Sequence, residues 1–158
     1  MDLASEIIMK RLQSRIDRLR PTQRAAYDAM KEGRNVLITG PGGTGKTSVI
    51  KLFVQMNPRN KKIAMTSTTG ASAVLLGGTT LHSYLGIGLG KGTVASIVRR
   101  VRDNPRLHNR WNDVETLVID EVSMMTPALF DKLEEAARTI RESQQPFGGI
   151  QIDRKSVV

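Results

Sequence analysis

A lysine and a threonine close a glycine-rich run, Gly40 to Thr47 (GPGGTGKT), whose spacing fits the phosphate-binding pattern G-x-x-x-x-G-K-[ST]. Upstream, Asn35 to Thr39 (NVLIT) reads as a short buried strand; downstream, Ser48 to Gln55 (SVIKLFVQ) reads as a helix. A turn between such elements aims successive backbone N–H groups, and the positive helix end, at one spot, which favours a polyphosphate. Gly42, Gly43, Thr44, Gly45, Lys46, Thr47 and Ser48 would line that spot. Lys46 would add a mobile ammonium for the β- and γ-phosphates, and the Thr47 hydroxyl would ligate a Mg²⁺ that bridges them. The bland account is a glycine-rich turn with an ordinary surface lysine, and the flanking strand and helix count against it.

Asp120 and Glu121 directly follow another strand-like run, Thr116 to Ile119 (TLVI). They therefore stand at the carboxyl end of a parallel strand, where open α/β sheets place their ligand sites. Asp120 would hold the metal's water shell opposite Thr47, and Glu121 would orient and deprotonate the water that attacks the γ-phosphate. The reaction class is phosphoryl transfer to water. A carboxylate pair here could instead only stabilise a helix dipole, but a phosphate loop upstream gives it a catalytic partner. Gln23 lies 23 residues before Lys46 on a helix feeding the first strand. Its amide can both donate to and accept from an adenine edge, although a glutamine near a helix start is nothing unusual by itself.

These residues need a scaffold, and the alternation of strand-like and helical runs from Asn35 to Glu142 supplies it: an α/β chain with a parallel sheet covered by helices. Pro21 to Glu32 reads as a helix opened by proline and stopped by Gly33. Lys62 to Thr66 (KIAMT) reads as the second strand, followed by the turn STTG and the helix ASAVLL. The segment GGTTLHSYLGIGLGKGT is too glycine-rich for a regular element. A basic helix runs from about Val94 to Asp103, and a last helix from Pro127 to Glu142 has apolar residues on one face. Residues 1–18 read as an amphipathic leader helix; its arginines resemble those of an organelle-targeting peptide, against which Asp2, Glu6 and Asp17 argue.

The chain of 158 residues carries 24 basic and 15 acidic side chains, a net charge of +9, which makes a polyanion such as nucleic acid a reasonable partner. The excess gathers in KRLQSRIDRLR, in RNKK at 59–62 and in RRVRDNPRLHNR at 99–110, and any one of these could be a solvated face. With no cysteine and two histidines, disulfides and thiolate sites are excluded and a zinc site is disfavoured. No apolar run approaches a membrane span, so no membrane partner is expected, and an intracellular monomer is the expectation, nucleus and cytoplasm not being distinguishable.

Read together, PTQRAAYDAM, NVLITGPGGTGKT, KIAMTSTTGASAVLLGGTTLHSYLGIGLGKGT, TLVIDEVSMM and PFGGIQ closely resemble the petite integration frequency (PIF) family of superfamily 1B DNA helicases, which unwind duplexes 5′ to 3′ using ATP. The stretch from TSTTGASA to GIGLGKG is the most specific, since phosphate loops are widespread. The resemblance implies an α/β P-loop NTPase domain of RecA-like type, with ATP and Mg²⁺ as cofactors and single-stranded DNA and duplex junctions as partners. It also implies adenine contact by Gln23, and a DNA path along Thr68, Thr69, Gly70, Thr80 and His82. DNA repair, recombination and telomere maintenance are the settings it suggests. Hydroxyls and backbone N–H groups at strand ends can hold phosphates without reading bases, as a translocating motor requires. Tyr84 and Trp111 are the candidates for base stacking, Trp111 reading better as an anchor for the basic loop; Met124 and Met125 read as packing under the next helix.

The resemblance covers residues 19–151, a first RecA-like ATPase domain truncated after the Walker B helix, and ends before the tail at 152–158 (IDRKSVV). Asp153, Arg154 and Lys155 argue against a buried strand there, so an incomplete sheet is expected, its missing strand lying between the phosphate-loop strand and the Asp-Glu strand. Without the family's second domain and its arginines, weak Mg·ATP binding and slow hydrolysis are expected. A helicase loader or RecD-type ATPase, and a non-catalytic nucleotide- or single-stranded-DNA-binding module, are the competing readings.

Overall fold

The computed structural model describes residues 1–43, 45–57 and 62–157, Ser156 and Val157 by their backbone alone. Thr44, Arg59, Asn60, Lys61 and Val158, all of which carry expectations above, lie outside the described residues.

Five parallel strands form one sheet in the order β1 (Val36–Gly40), β5 (Gln151–Val157), β4 (Thr116–Asp120), β2 (Ile63–Ser67) and β3 (Thr79–Thr80). Every residue of β4 is buried, and its side chains alternate between two cores: Val118 faces one, Leu117 and Ile119 the other. That is what a parallel strand covered on both faces requires. On the first face lie α1 (Leu3–Asp17), α2 (Pro21–Lys31) and α3 (Lys46–Met56), which contribute Leu12, Ile16, Tyr27, Met30, Ile50 and Phe53. On the second lie α5 (Leu81–Leu85), α6 (Val94–Arg102), α7 (Pro105–Asp113) and α8 (Pro127–Ile140), around Leu81, Leu85, Val101, Trp111, Leu133 and Ile140. The helix α4 (Gly70–Leu76) follows β2 and starts on the Thr69 hydroxyl, which accepts from the Ser72 N–H at 3.3 Å.

The tail differs most from what its composition suggests. Residues 151–157 form β5, paired with β1 on one side (Val36 opposite Asp153, Ile38 opposite Lys155) and with β4 on the other (Leu117 opposite Ile152). The sheet has no gap at its centre. Three charges enter it because each meets a particular neighbour. Asp153 accepts from Gln151 Nε2 at 3.1 Å, the Arg154 guanidinium lies over the Phe130 ring at 5.4 Å, and the Lys155 ammonium reaches Asp120 at 3.2 Å. Alternation sorts them: Gln151, Asp153 and Lys155 point towards α2 and α3, while Ile152 and Arg154 point towards α8. Two open strand edges, each with unpaired backbone groups, are satisfied at once by this insertion.

Smaller differences have local causes. The glycine-rich segment after α4 does hold regular structure, β3 and α5: the Thr80 hydroxyl caps α5 by accepting from the Ser83 N–H at 3.2 Å, and Leu81 and Leu85 bury the same helix face. The basic stretch 99–110 is two helices, broken where Asn104 caps α7 through bonds from the N–H groups of Arg106 and Leu107. Trp111 is buried with its Nε1 donating to the Leu85 carbonyl at 3.0 Å, an anchor and not a stacking platform. Met125 packs against the second core, but Met124 is 68% exposed and covers nothing. The leader helix α1, capped by Asp2, packs on the domain through Leu12 and Ile16, each such burial contributing about 2 kcal/mol.

Candidate nucleotide site

The phosphate loop leaves β1 at Gly40 and enters α3 at Lys46, with Gly45 as N-cap. Gly43 and Gly45 hold φ of 77° and 82°, the left-handed region in which a side chain is strained. Gly45 has a second reason to be glycine: a Cβ there would lie 2.5 Å from Gln23 Nε2. Gln23 is therefore against the loop, its Oε1 accepting from the Arg20 N–H at 3.0 Å. Beside it, between α2 and β1, a cavity of about 400 Å³ is lined by Arg20, Gln23, Leu37, Thr39, Lys46 and Val49. It adjoins, through Lys46, a second cavity of about 440 Å³ lined by Gly42, Gly43, Gly45, Lys46, Thr47, Ser48 and Lys155. A base-sized recess carrying an amide and a phosphate-sized recess at a helix start thus meet at one lysine.

Lys46 is buried and its ammonium donates to the carbonyls of Gly40 and Pro41, both at 2.6 Å. These bonds hold it over its own loop. A phosphate entering the recess would compete for the same ammonium with a full negative charge, the stronger acceptor.

Asp120 and Glu121 stand where the strand rule places them, at the carboxyl end of β4. The Asp120 carboxylate is 4% exposed and its Oδ1 accepts from the Glu121 N–H at 2.8 Å. Glu121 has φ 55° and ψ 42°, left-handed backbone in a residue with a full side chain, of the kind that concentrates at functional sites. The 3-10 turn Val122–Met124 begins immediately after it.

Of the five residues assigned to a DNA path, four lie at the same end of the sheet. Thr68 is bonded twice to the carboxylate loop, its N–H donating to the Asp120 carbonyl at 3.2 Å and its hydroxyl to the Glu121 carbonyl at 2.8 Å. Thr69 and Gly70 open α4, and Thr80 sits in register with Ser67 on the neighbouring strand. His82 is half-buried in α5, its carbonyl accepting from the Ile87 N–H. Thr68, Thr69, Gly70 and Thr80 are thus brought to the carboxyl ends of β2 and β3, while the His82 ring lies further along, beside Gly90. Nearby, Tyr84 carries Arg110 over its ring at 5.5 Å, and burial pushes the Tyr84 phenol up, opposed by Arg110.

Lys155 is the residue at this site that sequence reasoning missed. Its ammonium donates to Thr47 Oγ1 at 2.6 Å and pairs with Asp120 Oδ1 at 3.2 Å. Those are the two side chains expected to hold Mg²⁺. A hydroxyl and a carboxylate are fitting magnesium donors, but here a cation of the protein's own already lies on both, and this arrangement does not fit a divalent ion. Among the described residues no group of three or more His, Cys, Asp or Glu side chains could hold a metal elsewhere. Period-two alternation with Gln151 and Asp153 was the available signal, since it puts Lys155 on the α3 face once 151–157 is a strand.

Known proteins resemble this chain in sequence and in fold. A family model described as PIF1-like helicase matches residues 18–153. The ATP-dependent DNA helicase PIF1 of Emericella nidulans is 44% identical over 128 residues, covering 78% of this chain and 17% of that protein. The crystal structure of Pif1 helicase from Candida albicans is similar with a TM-score of 0.83 at 34% identity, over 87% of this chain and 32% of that one. That of a Bacteroides Pif1 helicase in complex with ADP-AlF3 and ssDNA gives 0.73 at 29% identity, over 88% and 32%. The chain spans less than a third of the length of each of these proteins. With the phosphate loop, the paired carboxylates and the parallel sheet of a RecA-like domain all in place, the chain belongs to the PIF1-like helicase family.

Proposed function

We propose that this chain is the nucleotide-binding part of the first motor domain of an ATP-dependent DNA helicase. ATP lies with its base in the recess beside Gln23 and its phosphates on the loop Gly42–Ser48, and Glu121 positions the attacking water. In a full-length motor this hydrolysis drives movement along single-stranded DNA, for which Thr68, Thr69, Gly70, Thr80 and His82 are the proposed contacts; repair, recombination and telomere maintenance are the proposed settings. The observation that carries the reading is the convergence of two recesses on Lys46, with Glu121 in strained backbone at the adjacent strand end. Support for nucleotide and DNA comes from the Bacteroides relative, whose structure was solved with ADP-AlF3 and ssDNA.

Mg²⁺, expected at Thr47 and Asp120, is assigned no step while Lys155 holds those donors. A second reading, a module that binds nucleotide without hydrolysing it, is favoured by that same Lys155 contact. Glu121→Gln separates the two. In a motor site it retains ATP binding and lowers single-turnover phosphate release by about 10²–10⁴-fold; if the parent chain releases no phosphate above background, the motor reading of this site is refuted and the binding module stands.

A further inference from the structure

We propose that the Lys155 ammonium is the resident cation of the phosphate site, so that this chain takes a nucleoside triphosphate as the free polyanion and not as its magnesium complex. The inference rests on the nucleotide reading above. Lys155 Nζ lies 2.6 Å from Thr47 Oγ1 and 3.2 Å from Asp120 Oδ1, and thereby bridges the helix that opens on the phosphate loop to the strand that carries the carboxylate pair. A divalent ion placed on those two oxygens would take the ammonium's own position.

The placement is built in at the level of the strand. Lys155 is opposite Ile38 of β1, and alternation along β5 sends Gln151, Asp153 and Lys155 to the α2 and α3 face. A slip of one residue would turn the lysine to the opposite face, towards α8, and carry Ile152 out of its core. Lys155 and Asp120 are 8% and 4% exposed, and a buried carboxylate is stable only with a partner. Lys155 also lines the phosphate recess with Gly43, Gly45, Lys46 and Thr47, so its charge faces the space a polyphosphate would occupy.

Two ammonium groups then serve one recess, Lys46 over the loop and Lys155 at the helix start. Together they supply the charge that a single lysine and a dication would otherwise share. Mg²⁺ takes six oxygens at about 2.0–2.1 Å and keeps several waters. Seating it between Thr47 and Asp120 would require displacing Lys155 and exposing the ion to repulsion in a site of low dielectric.

The test is the affinity of the intact chain for mant-ATP, measured by fluorescence in excess EDTA and in excess MgCl₂, with Lys155→Met as comparison. The expected dissociation constants of the unmodified chain agree within about threefold in the two buffers. Lys155→Met, which keeps the aliphatic stem, loses about tenfold or more in EDTA through the lost charge-assisted bonds and recovers it when Mg²⁺ is added. An unmodified chain that binds at least about tenfold tighter with Mg²⁺ overturns the inference and leaves the nucleotide site standing. No binding in either buffer overturns both. If Lys155→Met does not fold by circular dichroism, the comparison of buffers on the unmodified chain decides alone.

Discussion

Gly45→Ala tests whether the phosphate loop and the proposed base contact are one mechanical unit. The substitution acts twice. Alanine at φ 82° is strained by about 1–2 kcal/mol. Its Cβ also falls 2.5 Å from Gln23 Nε2, which a flexible amide relieves by rotating away. Rotation breaks the bond from the Arg20 N–H to Gln23 Oε1, now 3.0 Å, at the start of α2, a loss of about 1 kcal/mol. The expected total is about 2–3 kcal/mol, a fall in Tm of about 4–12 °C for a chain of this size. The assay is urea unfolding of the parent, Gly45→Ala, Gln23→Ala and the double variant. Because Gln23→Ala removes the amide beforehand, Gly45→Ala should cost about 1 kcal/mol less in that background. Equal costs in both backgrounds, within about 0.3 kcal/mol, would refute the claimed contact between the loop and Gln23. If the contact holds, Gly45→Ala should also reduce the preference for ATP over GTP, read by competition with mant-ATP.

Two further outcomes are expected. Trp111→Ala empties a buried site under α5 and removes the Nε1 bond to Leu85, so it should destabilise by about 3–5 kcal/mol in the same unfolding assay, whereas Trp111→Phe should keep most of the packing and lose mainly the bond. Arg138 and the Phe147 N–H bond the Glu134 carboxylate at 2.7 and 3.3 Å, and Arg138 foremost holds its carboxyl below the usual range. A depressed folded value means stability that is present above about pH 4.3 and lost as pH falls through the folded value, so Glu134→Gln should lower stability near neutrality, leave it nearly unchanged below the folded value, and thereby flatten the acid limb of a pH–stability curve.

What the sequence disclosed was whatever depends on near neighbours. The loop, its strand and its helix are contiguous, and Asp120 and Glu121 adjoin their strand, so Lys46, Thr47 and the carboxylates could be placed without coordinates. The helix α5 was hidden because glycine density masks a helix that depends on one hydroxyl cap and on Leu81 and Leu85 being covered. The strand β5, inserted between β1 and β4, was hidden for a stronger reason. Lys155 finds Thr47 across 108 positions of chain and Gln151 finds the Met30 carbonyl across 121, so the charges that argue against burial are answered only by distant partners. Composition records the desolvation cost of Asp153, Arg154 and Lys155 but not the groups that offset it.

The position of β5 also bears on how the chain assembles during synthesis. It is made after the other four strands, yet among the described residues β1 has no other partner in the sheet. While the ribosome is still adding residues, β2, β3 and β4 can associate, whereas β1 waits with both edges open, carrying the phosphate loop at its end. Closure of the sheet and completion of the recess beside the phosphate loop, which Lys155 lines, are therefore the same late, long-range event. Until then an unpaired β1 is an adhesive edge, waiting for the seven-residue strand β5.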